Sequence, residues 1–270
     1  MIDLSIQKEL NRRFNPEGSL LRKHQMRMLE MLKYIDKVCN EHGIQYWLSS
    51  GTLIGAVRHE GFIPWDDDLD IEMTKEDFRK FVKIINEDKS SGYVLQTHKT
   101  DFNYFAPYAK LRDLRSKIKE DNTNDSHYKY NGVYIDVFIM VPSSSSKIND
   151  ISDKLQFFLL YKPNTFIKNS FLRKVYFSTV FFILNSLVYP LMEILSGFGA
   201  KDQLRHIPGS GFIKPRNRSD IFPLTKVPFE DGMFSAPRNS DNYLKQIYGN
   251  YMALPDIDKI KVHTTNVEIY

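Results

Sequence analysis

The stretch Phe62-Ile63-Pro64-Trp65-Asp66-Asp67-Asp68-Leu69-Asp70-Ile71 decides how this chain is read. Asp66, Asp68 and Asp70 stand two apart. A distant partner, Asp136, is set in the apolar run Val133-Tyr134-Ile135-Asp136-Val137-Phe138-Ile139. Strand alternation places Asp68 and Asp70 on one face of an expected strand, Asp68 to Met73, with Leu69 and Ile71 on the other. By the same rule Ile135, Val137 and Ile139 share a face, and Asp136 falls between Tyr134 and Phe138 on the opposite one. Crowded carboxylates repel, and an unpaired one is costly to bury. A cation among them removes both costs. Mg²⁺, or Mn²⁺ in its place, suits the set, because it takes oxygen ligands and keeps room for phosphate oxygens. Asp68, Asp70 and Asp136 are therefore the expected metal ligands, with Asp66 supporting them from the edge. Two plainer readings compete: a solvated acidic loop, and a salt bridge from Asp136 to a Lys or Arg. Trp65, Leu69 and Ile71 speak against the loop, since they anchor the segment in a core.

Just upstream, Ser50-Gly51-Thr52 is expected to turn a short strand, Ile44 to Leu48, into a short helix. Glycine lets backbone N–H groups approach an anion, and a helix N-terminus favours negative charge. Ser50, Gly51, Thr52 and Gly55 are thus candidates for holding phosphate. Arg58 and His59 at the end of that helix, and Lys110 and Arg112 on one face of a later strand, are candidates for neutralising it. Each of these bases has an ordinary alternative as a surface charge or salt-bridge partner.

The 270 residues, 42% of them hydrophobic, suffice for a sizeable core, and the formal net charge of +4 is too mild to imply nucleic acid. The only cysteine, Cys39, excludes an internal disulfide and a cysteine zinc cluster. Met1 to Arg13 is polar, without the apolar stretch of a signal peptide, so the expected place is the cytoplasm or the inner face of the cytoplasmic membrane. The expected fold class is α+β: a mixed β-sheet flanked by helices within a single domain. Residues 1–19 read as an N-terminal arm and 20–142 as the catalytic core. After the compositional break Pro142-Ser143-Ser144-Ser145-Ser146, residues 143–218 read as a helical, partly hydrophobic insertion, and 219–270 as a part returning to the site. Leu20 to His42 has helical spacing and stops at Gly43. Thr74 caps a helix running to about Asp88, with Asp77 at its third position. Val175 to Met192 carries no charged residue. Two readings of it stand: a helix or hairpin that touches a membrane surface, and a buried core pair.

The run from Trp47 to His59, followed by Phe62 to Ile71, resembles the LicD family of phosphocholine and ribitol-phosphate transferases. Ala109-Lys110-Leu111-Arg112-Asp113, Ile135-Asp136-Val137-Phe138, Phe229-Glu230-Asp231-Gly232, Tyr248-Gly249-Asn250-Tyr251-Met252 and His263 agree with it. The resemblance implies a nucleotidyltransferase-like fold, with Gly51-Thr52 at the turn, then Asp68 and Asp70, then Asp136. It further implies transfer of a phospho-alcohol from a CDP-alcohol donor to a sugar hydroxyl, with release of CMP. The acceptor would be a cell-surface glycan or its lipid-linked saccharide precursor. Glu230, Tyr248, Tyr251 and His263 are then candidates for a substrate pocket, aromatic faces suiting a choline ammonium. The zinc-binding cysteines found in one branch of the family have no counterpart here. Alternatives are a nucleotidyltransferase acting on a small molecule, a sugar transferase using Asp-x-Asp, and an inactive membrane-surface assembly protein.

Overall fold

The computed structural model describes residues 2–120, 127–212, 214–260 and 264–270. Its spine is a mixed sheet whose strands run β1 (Tyr46–Leu48), β2 (Asp70–Thr74), β6 (Tyr134–Pro142), β4 (Ala109–Asp113) and β3 (Tyr93–Gln96) in spatial order. β7 (Gln203–His206) pairs with the second half of β6, and β8 (Arg216–Asn217) pairs with β7. β2 and β6 run parallel; every other pair is antiparallel. β5 (Ser116–Glu120) pairs away from this sheet with β11 (Thr264–Ile269).

Registers fix what each face carries. Ile71, Val137 and Ala109 lie side by side across β2, β6 and β4, fully buried in the main core. α2 (Leu20–His42) contributes Met28, Leu29, Leu32 and Ile35 to that core and ends at Gly43 in the left-handed region, as its spacing predicts. α4 (Lys75–Glu87) begins as expected: Thr74 Oγ1 accepts from Asp77 N at 3.2 Å. One residue along the strands, the opposite row carries Asp70, Asp136 and Lys110. The period of two thus sends greasy residues to α2 and ionic ones to the other side.

Two expectations are corrected. The N-terminal arm holds a helix, α1 (Leu4–Phe14), capped by Asp3. Ile6, Leu10 and Phe14 recur at helical spacing among its charges, and Leu10 is buried. The acidic strand starts at Asp70, so Asp66 and Asp68 sit in the loop before it. Near the end of the chain, β11 makes a long-range pairing with β5. After β8 the chain forms the short α9 (Arg218–Ile221), the hairpin β9 (Thr225–Phe229) and β10 (Gly232–Ala236), then α10 (Ser240–Tyr248). In the insertion, α5 (Ser146–Gln156) continues through a π-turn into α6 (Lys162–Asn164). α7 (Ser170–Ile183) runs through another π-turn into α8 (Tyr189–Gly197), making one rod rather than a hairpin.

Candidate active site

The site forms where β1 turns into α3 (Ser50–His59) beside the start of β2. Ser49 stands at the N-cap of α3 yet makes no cap hydrogen bond. Its hydroxyl points the other way, donating to Glu72 Oε1 at 2.8 Å. The first N–H groups of α3 therefore lack the side-chain acceptor a helix start usually has, which suits an anion. Ser50 holds φ 49°, a left-handed conformation unusual for a residue with a side chain. A Cβ on Gly51 would sit 2.8 Å from Asp66 Oδ2, so glycine is what lets that carboxylate approach. Thr52 Oγ1 accepts from Asp70 N at 2.8 Å and ties the helix start to the strand start.

Asp70, Asp136 and Lys110 form one row across three adjacent strands. Lys110 Nζ lies 2.9 Å from Asp136 Oδ1 and donates to Oδ2 at 3.1 Å. The lysine also rests 3.4 Å from the Tyr134 ring centroid. Beyond the ion pair with Lys110, the buried Asp136 Oδ1 has no hydrogen-bond partner among the described residues. Burial, then the charge of Asp136, pushes the Asp68 carboxyl up to about 6. Burial also drives Asp66 and Asp70 well above the usual carboxylate range, each further raised by Asp68. Among the described residues, no three His, Cys, Asp or Glu side chains already form a metal cage. The donor set nonetheless fits a hard divalent ion: carboxylate oxygens crowded around one lysine, at a cost that a cation relieves.

Beneath the turn lies a residue that the sequence reading passes over. Glu72, two along from Asp70 and wholly buried, accepts from Trp47 Nε1 at 2.8 Å, Ser49 Oγ at 2.8 Å and Tyr243 OH at 2.7 Å. His206 Nε2 lies 2.7 Å away and the Arg216 guanidinium 3.0 Å. Burial raises this carboxyl, but Arg216 and His206 outweigh it and hold the group well below the carboxylate range. Glu72 thereby clamps Ser49 and sets the mouth of α3. The signal for it is Asp-x-Asp-x-Glu, Asp68 to Glu72: the alternation that pairs Asp68 with Asp70 extends to Glu72.

Several expected site residues are spent elsewhere. Arg58 is buried and donates to the carbonyls of Tyr251 (2.7 Å) and Ala253 (3.1 Å). His59 accepts from Arg58 Nε at 2.8 Å and meets Gln7 Oε1 at 2.5 Å through Nδ1. Burial and the adjacent Arg58 push it down to about 3, so it is neutral and neutralises nothing. Arg112 shares the Tyr134 face with Lys110 but is buried on Gln96 Oε1 and the Gly132 carbonyl. Gly55 is a packing residue: a Cβ there would meet the Gly61 carbonyl at 2.4 Å. Glu230 forms a two-point ion pair with Arg22 and accepts from Phe62 N. Tyr251 donates to Asp241 Oδ1 at 2.9 Å. Among the described residues, Tyr248 is the expected pocket residue that sits at the site: burial raises its hydroxyl, the Ser50 side chain lowers it, and the charge of Asp70 raises it further. His263 lies outside the described residues.

Comparison with known proteins fits this geometry. Residues 43–182, a little over half the chain, match the family model "LicD/FKTN/FKRP, nucleotidyltransferase domain". The chain belongs to the LicD family. The match spans the turn, the acidic loop and Asp136, and runs on into the helical insertion. Among similar proteins is the lipopolysaccharide cholinephosphotransferase LicD of Haemophilus influenzae, 28% identical over 90% of this chain and 95% of its own length. The human ribitol 5-phosphate transferase FKRP is 44% identical over 48 residues, 18% of this chain and 10% of FKRP. The Saccharomyces cerevisiae mannosyltransferase regulator 4 is 25% identical over 45% of this chain and 10% of its own length.

Proposed function

We propose that this LicD-type phosphotransferase moves a phospho-alcohol, such as phosphocholine, from a CDP-activated donor to a sugar hydroxyl of a cell-surface glycan or its lipid-linked precursor. One observation carries the reading: Asp70, Asp136 and Lys110 lie in a single row beside the uncapped start of α3. The near full-length similarity to a cholinephosphotransferase supports the reaction class.

The donor pyrophosphate would rest on the N–H groups of Gly51 and Thr52. Lys110 would face the charge that grows on the leaving phosphate. Asp136 would take the proton of the attacking hydroxyl, which must lie within hydrogen-bond reach of it. The hydroxyl oxygen bonds to the phosphorus bearing the alcohol, the P–O bond to the cytidylyl phosphate breaks, and CMP leaves with that electron pair. Asp68, Asp70 and Asp136 would hold Mg²⁺ or Mn²⁺, which supplies charge neutralisation at the pyrophosphate oxygens. Tyr248 stands where the alcohol or nucleoside end of the donor would pass.

The test incubates the purified protein and Mg²⁺ with CDP-choline, CDP-ribitol, CDP-glycerol or labelled CTP, plus a glycan acceptor. CMP release with phospho-alcohol on the glycan is expected from one CDP-alcohol. Asp68→Asn and Asp70→Asn should each cut it by on the order of 10²–10³-fold or more, with circular dichroism unchanged. Label from CTP on the acceptor would instead mark nucleotidyl transfer, and full turnover in both variants would end the proposal.

A further inference from the structure

Within the rod formed by α7 and α8, Ser170–Gly197, the most apolar 18-residue window has a mean hydropathy of 1.6, and 17% of it is buried. The rod's inner face is committed to the protein. Phe177 stacks on Phe105 at 4.7 Å, Phe181 stacks on His98 at 3.7 Å, and Leu184 is buried. Tyr189 donates to Gln156 Oε1 at 2.9 Å, and Glu193 pairs with Lys75 at 2.5 Å. The outer face should then be polar. Instead Phe171, Val175, Phe182, Leu187, Leu191 and Phe198 lie 51–72% exposed along it. Phe157, Phe158 and Phe166, from the preceding segment, are exposed as well. A stripe this long on one side of a helix of about 42 Å is not scattered surface apolarity.

The surrounding charge selects the occupant. Across 157–198 the basic residues are Lys162, Lys168, Arg173 and Lys174, and the acidic one is Glu193, already paired with Lys75. Lys162, Lys168 and Lys174 are exposed. An apolar stripe with a basic collar matches an anionic lipid surface, where rings and aliphatic chains enter the acyl boundary and ammonium groups meet headgroups. A spanning helix would have to strip Phe177, Leu184 and Tyr189 from their partners, so the rod lies in the interface rather than crossing it.

We propose that the outer face of the Ser170–Gly197 rod seats the protein on an anionic lipid bilayer, holding the catalytic row beside the membrane surface. α8 packs against β6, the strand that carries Asp136. A seat there would present an acceptor carried on a lipid to the side of the protein that bears the rod. That last step, an acceptor carried on a lipid, rests on the transferase reading; the seat itself does not.

The test is co-sedimentation of the full chain with vesicles of phosphatidylcholine alone and of equal parts phosphatidylcholine and phosphatidylglycerol. Binding should favour the anionic vesicles and fade with salt. The double change Leu187→Glu and Leu191→Glu should weaken it roughly tenfold or more, with an unaltered melting temperature. Lys168→Glu and Lys174→Glu should each cost roughly fivefold on anionic vesicles only. Asp70→Asn should bind vesicles like the parent while losing CMP release; a parent that binds anionic vesicles yet releases no CMP from any CDP-alcohol strikes the transferase reading alone. A folded parent that ignores both vesicles overturns the seat. So does a concentration-dependent dimer that the double glutamate change dissolves, which would assign the stripe to a second copy of the chain.

Discussion

At Gly51 a single methyl group decides between two demands. Alanine is the better helix former, by about 1 kcal/mol in a helix interior. Its Cβ, however, would sit 2.8 Å from Asp66 Oδ2. The obstructing atom ends a side chain, so the fold can absorb the methyl by swinging the carboxylate aside. Gly51→Ala is therefore expected to leave the melting temperature within about 2 °C while lowering kcat/KM roughly tenfold to a hundredfold, because the acidic cluster is displaced. Steady-state kinetics beside a thermal melt check this, and a variant with parental kinetics would show that Asp66 has no part in the site. Gly55→Ala carries the opposite expectation. There the clash, at 2.4 Å, is with the Gly61 backbone, which has nowhere to go. A loss of about 1–3 kcal/mol in urea unfolding is expected.

Among the elements, β2 does most to build the site, and Glu72 shows how. Its carboxylate satisfies Trp47 of β1, Ser49 at the cap, Tyr243 of α10, and His206 and Arg216 of β7 and β8. Glu72→Gln keeps the shape but leaves Arg216 buried without its counter-charge, so a loss of about 3–5 kcal/mol in chemical denaturation is expected. A stability within about 1 kcal/mol of the parent would mean that Arg216 finds another anion. The same strand explains what is legible in the sequence. The period of two by itself sets Asp70 against Leu69 and Ile71, and Asp136 against Ile135 and Val137, and that is enough to read the acidic row. Gly43, Thr74 and Asp77 mark their helix ends for local chemical reasons. Partners remote in sequence leave no such trace. Arg58, Arg112 and Lys110 look alike as letters, yet two of them bond backbone carbonyls and only Lys110 meets a site carboxylate. β11 is hidden because its pairing with β5 depends on a chain returning across 144 to 153 positions.

On the scale of the molecule, Arg58 and His59 clip segments near both chain ends to α3. Arg58 holds the carbonyls of Tyr251 and Ala253, its own carbonyl accepts from Ile2 N, and His59 meets Gln7 of α1. His59 Nε2 accepts from Arg58, so this clip requires a neutral imidazole. Burial and Arg58 lower it from the ordinary 6.5 to about 3. The sign follows from proton binding. Between those values the unfolded chain takes up a proton that the folded chain refuses, so acidification through 6.5 favours unfolding, and the loss continues until the pH nears 3. For one proton the slope approaches about 1.4 kcal/mol per pH unit. The carboxyls of Asp66, Asp68 and Asp70 act oppositely, because their raised values make the folded chain the better proton binder on acidification. The parent's net pH profile therefore mixes the two, and a comparison isolates His59. Urea unfolding at about pH 7.5 and about pH 5.5 should show the parent losing about 1 kcal/mol more than His59→Asn over that interval. Parallel profiles would mean that His59 gains its proton without breaking the clip, and that these segments are held to α3 by Arg58 alone.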